Sequence, residues 1–99
     1  MLLERNLIVL VVDDFEPMRQ VTASLLRMLG IERILFAHDG AEAWRLIEKQ
    51  KIDIVLSDWN MPVMTGLELL KQLRSSERHW NMPFIMITAE NDRSRVKEA

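Results

Sequence analysis

Apolar residues cluster in four short runs, Leu7 to Val12, Ile34 to Ala37, Ile52 to Leu56 and Met82 to Thr88. The first is continuous and rich in β-branched residues, the pattern of a strand buried on both faces of a parallel sheet. Between the runs, apolar positions fall at helical spacing. Met18, Val21, Leu25, Met28 and Leu29 form one such set, Ala43, Leu46 and Ile47 a second, and Leu67, Leu70 and Leu73 a third. Local signals agree with these periods. Pro17 suits a first helical turn, and Gly30 is placed to close that helix. Asp39 with Glu42, and Thr65 with Glu68, have the spacing of capping boxes, the first opening a helix that runs to about Gln50. Asn60, Pro62 and Gly66 punctuate a loop, Ser75 to Asn81 is a polar link, and Asn91 is placed to cap a last, short helix.

Strands alternating with helices predict a doubly wound α/β sheet, because each parallel connection needs a right-handed crossover. Sites in such sheets lie beyond the carboxyl ends of the strands, where the strand order reverses. The polar residues of interest stand at those ends. Asp13 and Asp14 finish the first strand, Asp58 the third and Thr88 the fourth. With strand order 2-1-3-4 these strands are neighbours, so three carboxylates and a hydroxyl converge in one cleft.

Composition narrows the classes. A chain of 99 residues, 48% hydrophobic and 28% charged, makes one domain spanning residues 1–99. Its net charge of −2 supplies no basic face for nucleic acid or anionic lipid. The absence of cysteine removes disulfides and thiolate chemistry and suits a reducing compartment. The apolar run at the start is too short to span a membrane, so a cytoplasmic location is expected.

Taken singly, an acidic residue after a strand is a turn former or a helix cap. Three together are different, because like charges repel unless a cation joins them. Magnesium prefers hard oxygen ligands, typically one or two carboxylates, and fills its shell with waters or phosphate oxygens. A carboxylate beside such an ion can attack phosphorus and form an aspartyl phosphate. Asp58, alone on its strand, is the candidate nucleophile. Asp13 and Asp14 are the candidate metal ligands, and Thr88 is placed to donate to a phosphoryl oxygen. His38 and His79 fall outside this cleft and read as surface histidines.

The segments Val11 to Phe15 (VVDDF), Ser57 to Pro62 (SDWNMP), Gly66 to Lys71 (GLELLK) and Met86 to Glu90 (MITAE) together resemble the receiver domain of two-component response regulators, most of all its stand-alone chemotaxis (CheY-like) branch. The resemblance implies a flavodoxin-like fold that takes a phosphoryl group from a histidine kinase and catalyses only its own phosphorylation and dephosphorylation. It implies Asp58 as phosphoacceptor, and Mg2+ bound by Asp14, Asp58 and the main-chain carbonyl of Asn60, with Asp13 acting through a metal-bound water. Thr88 would be the switch hydroxyl, Ala89 a small residue that keeps the phosphate reachable, and Glu90 a position that influences phosphatase access. Trp59 would border the phosphate, and the flagellar motor switch would be the downstream target of a chemotaxis member.

There are departures. Thr65 stands where the family often has an aspartate. The family's fifth strand and helix, which carry a lysine for the phosphate and an aromatic switch partner, have no counterpart here, so the receiver reads as C-terminally incomplete. Lys97 is no substitute by position. An open fourth strand would then favour self-association. Two other readings compete. One is a receiver-like interaction module that is never phosphorylated. The other is a metal-dependent phosphatase with an aspartyl nucleophile, but that class expects two acids two residues apart on the first strand, and here they are adjacent.

Overall fold

The first apolar run forms β1 (Ile8–Val12), and the chain continues through α1 (Glu16–Met28), β2 (Arg33–Ala37), α2 (Gly40–Lys49), β3 (Ile54–Asp58), α3 (Gly66–Arg74) and β4 (Phe84–Ile87). The computed structural model describes residues 6–87. Thr88, Ala89, Glu90, Lys97 and the helix expected after Asn91 lie outside the described residues. Alternation predicts the parallel sheet, and its strands stand in the doubly wound order β2-β1-β3-β4 on which the expected cleft depended.

Its register explains the unbroken apolar run. Leu10 and Val12 face the layer of α2 and α3, packing with Ala43, Ile47, Leu69 and Leu73, while Val9 and Val11 face the α1 layer with Leu26, Ile31 and Leu56. A strand covered on both sides has no solvent face on which polar residues would be favourable. All four of these β1 residues are at most 2% exposed. Full burial of a side chain of this size contributes about 1.5–3 kcal/mol.

Local chemistry sets the helix ends. Gly30, at φ 95, closes α1 with its N–H on the Arg27 carbonyl at 3.0 Å, and Ile31 N–H reaches the Leu26 carbonyl at 3.0 Å. This paired closure needs a left-handed residue, which glycine supplies without strain. Thr65 and Glu68 form the full capping box on α3, with bonds of 3.2 and 2.8 Å. The box on α2 is half as expected. Asp39 Oδ1 accepts from Glu42 N–H at 2.8 Å, but the Glu42 carboxylate returns to the N–H of His38, one residue before the cap.

Three expectations are corrected. On α1 the buried residues are Ala23 and Leu26, whereas Val21, Leu25, Met28 and Leu29 are half or more exposed. Leu67 is likewise outside, and Leu69 takes the inward place beside Leu73. His79 is not a surface histidine. Its side chain is only 12% exposed, with Nε2 3.5 Å from Glu48 Oε2 and its ring edge-on to Trp44. The cause is Arg74, which donates to the carbonyls of Trp80 and Met82 at 2.9 and 2.8 Å and folds the α3–β4 link against the α2 layer.

Candidate metal centre at the carboxyl edge

β1 and β3 are adjacent and in register, with Val12 opposite Ser57, so the residues that follow in each strand reach the same edge of the sheet. Asp13 is buried, Asp14 exposed and Asp58 half-buried. One carboxylate oxygen from each lies within 4.8 Å of the others. Sequence reasoning expected this convergence, and the strand order delivers it. The third strand closes on Asp58 as expected, although β3 begins at Ile54 rather than at Ile52. Asp58 is therefore held by the sheet itself, its Cα partner on β4 being Ile87.

The backbone around Asp58 is fixed from several directions. Ser57, fully buried, donates its hydroxyl to the Asp58 carbonyl at 2.9 Å. Gly66 closes on the same carbonyl, since a Cβ placed there would stand 2.2 Å from that oxygen, and Gly66 N–H donates to the Trp59 carbonyl at 2.9 Å. Between these points runs the loop that carries Asn60, which is exposed, and buried Met61. It turns through Val63, at φ 69, with Met64 N–H on the Pro62 carbonyl at 2.7 Å. An i to i+2 bond around a residue of positive φ is the rarer, strained form of γ-turn. Met64 then packs over Gly40, whose N–H donates to the Met64 carbonyl at 3.2 Å. A Cβ on Gly40 would lie 2.7 Å from the Met64 side chain. Neither glycine needs an unusual φ; both are read from close approach, which a linear pattern does not reveal.

Asp13 is held as firmly. Its N–H donates to the Ala37 carbonyl at 3.0 Å, and its Oδ1 accepts from Phe15 N–H at 2.9 Å. Arg19 reaches back from α1 to the Asp13 carbonyl at 2.6 Å. His38 sits beside this edge but turns away, with Nδ1 2.5 Å from Glu42 and Nε2 3.3 Å from Asp39. It is 59% exposed on its side chain, in keeping with the surface role expected for it.

The donor set is all oxygen, with no histidine or thiol in the cluster, and it opens to solvent through Asp14. That fits a small hard dication which keeps part of its water shell, and it does not fit zinc. Among the described residues no helix is long and apolar enough to cross a membrane.

Comparison with known proteins agrees with this picture. The response regulator receiver domain family matches residues 9–99. The chain is 43% identical over 98 residues to chemotaxis protein CheY-3 of Vibrio cholerae, which covers 99% of this chain and 75% of the relative. It superposes on the structure of chemotaxis response regulator CheY4 of Vibrio cholerae with a TM-score of 0.77 at 36% identity, over 93% of this chain and 76% of that one. The same fold recurs at a TM-score of 0.75 and 22% identity, over 93% of this chain and 92% of the other, in the receiver domain of a Pseudomonas aeruginosa sensor histidine kinase, a structure with a magnesium ion coordinated in its cleft.

Proposed function

Because the chain belongs to the response regulator receiver family, we propose that it is a phosphorylation-dependent signalling domain which accepts a phosphoryl group on Asp58 from a histidine kinase. The observation that carries this reading is the meeting of Asp13, Asp14 and Asp58 within 4.8 Å at the end of two adjacent strands. Asp14, Asp58 and the Asn60 carbonyl would hold Mg2+, with Asp13 engaged through water. The ion, when bound, supplies charge neutralisation for the phosphoryl oxygens.

The protein's own part is positional. An Asp58 carboxylate oxygen forms the new O–P bond as the bond from phosphorus to the donor imidazole nitrogen breaks, and that nitrogen keeps the electron pair. The attacking oxygen must be aimed along this line, and the bond from Ser57 to the Asp58 carbonyl, with the close approach of Gly66 to the same oxygen, serves that aim. Thr88 follows Ile87, the Cα partner of Asp58, which supports its assignment as the switch hydroxyl. Ala89 and Glu90 follow in the order the family motif requires. Trp59, next to Asp58, would border the phosphate.

Similarity to chemotaxis proteins supports a cytoplasmic signalling role and makes the flagellar motor switch the first downstream target to try. The outer edge of β4, where Ile85 is 49% exposed and no further strand pairs among the described residues, supports self-association as a second kind of contact.

The test is intact mass after incubation with Mg2+ and acetyl phosphate, beside an Asp58→Asn variant. Gain of one phosphoryl group by the parent alone is expected. A parent that binds Mg2+ but gains nothing would leave the interaction-module reading in its place.

A further inference from the structure

Arg19 stands in the second turn of α1, and its Nη1 donates to the main-chain carbonyl of Asp13 at 2.6 Å. That carbonyl belongs to the peptide that leads into Asp14. Asp13 is also tied through its N–H to Ala37 and through its Oδ1 to Phe15 N–H, before and after this peptide. Asp14 itself is exposed, and among the described residues no hydrogen bond or ion pair holds its carboxylate. Because the peptide is planar, holding this carbonyl sets where the Asp14 Cα stands relative to Asp13, and the Asp14 side chain departs from that point.

We infer that Arg19 is a positioning residue for the acidic cluster, fixing the Asp13–Asp14 peptide so that Asp14 faces Asp58. The inference rests on the reading of that cluster as a Mg2+ site. Charge alone argues for the opposite effect. A guanidinium beside a dication repels it, so an arginine acting only through its charge would weaken metal binding, and its removal would tighten it. Arginine acting through its hydrogen bond gives the reverse sign. The guanidinium also borders a small cleft with Phe36, Ala37, His38 and Glu42, so it has room to keep this pose without displacing core side chains.

The experiment titrates Mg2+ into the parent, Arg19→Met, Arg19→Gln and Arg19→Lys, following tryptophan fluorescence, with thermal melts in EDTA alongside. Loss of an outer positioning partner typically weakens metal affinity about 10–100-fold. Arg19→Met is expected to raise the Mg2+ dissociation constant about tenfold at an unchanged melt, and Arg19→Lys, which keeps a donor, to recover part of it. Arg19→Gln carries the comparison should the methionine variant melt without cooperativity. Equal or tighter Mg2+ binding by the methionine and glutamine variants, with the parent responding normally, overturns the inference. A parent with no Mg2+ response overturns the metal-site reading first, and the inference falls with it.

Discussion

Val63 holds a left-handed backbone, φ 69, with a β-branched side chain that is 81% exposed. For an L-residue this conformation costs about 1–2 kcal/mol, and β-branching places it at the upper end. The side chain offsets little of that cost. Complete burial of valine contributes about 1.5–3 kcal/mol, so the remaining fifth is worth roughly 0.4 kcal/mol. Asparagine visits the left-handed region readily and adds no extra backbone freedom to the unfolded chain, so Val63→Asn is expected to stabilise the domain by about 1 kcal/mol. In a domain of this size that is a rise in Tm of about 4–8 °C. Glycine relieves the same strain but loses roughly 0.5–1 kcal/mol to unfolded-state entropy, so Val63→Gly should fall near neutral. Val63→Pro, locked at a φ of about −65°, cannot form the turn and should be the least stable of the set. Urea and thermal unfolding followed by circular dichroism give the ranking. A destabilised asparagine variant, or a tolerated proline, would refute the strained turn.

Gly66→Ala places a Cβ 2.2 Å from the Asp58 carbonyl, so β3 or the head of α3 must shift. A loss of about 1–3 kcal/mol is expected in a melt, together with slower acetyl phosphate labelling. Asp14→Asn removes one of three clustered charges. The variant is expected to melt higher than the parent in EDTA, by about 1 kcal/mol, and to lack the Mg2+-dependent rise in Tm expected of the parent. Leu69→Ala should cost about 2–5 kcal/mol, since Leu69 is fully buried, whereas Leu67→Ala at 42% exposure should stay within about 1 kcal/mol in the same urea titration. Equal effects of the two leucines would contradict the inward face assigned to α3.

The parallel sheet and its acidic edge were legible because both follow from alternation. Apolar runs separated by helical spacing force parallel crossovers, and acids at the ends of the runs must then share an edge. The capping box at Thr65 and the closure at Gly30 were legible for a similar reason, being local chemistry at fixed offsets. Facing was harder to read. α1 carries apolar residues over more than one arc, and the sheet takes the arc with Ala23 and Leu26, where a small residue lets the helix approach closely, rather than the larger Val21, Leu25 and Met28. On α3 consecutive leucines left the phase ambiguous by two residues. Arg19, Gly40 and Gly66 act through main-chain atoms of distant segments, and His79 is buried by a bond from Arg74 to carbonyls, so no side-chain pattern announces any of them.

The position of β1 between β2 and β3 also bears on how this domain comes into being. Val9 pairs with both Ile34 and Ile54, so the first of these four strands to be synthesised is an inner one, made before either of its partners. It waits for α1 and β2, and its second edge stays unsatisfied until β3 is made. Loop closure hardly distinguishes the two partners, because doubling a loop adds only about 0.6 kcal/mol. Assembly therefore turns on whether the β1–α1–β2 unit can shelter Val9 and Val11 in time. Substitutions at Leu26 and Ile31, which cover that side of β1, should slow refolding, whereas changes in α3 should mainly hasten unfolding.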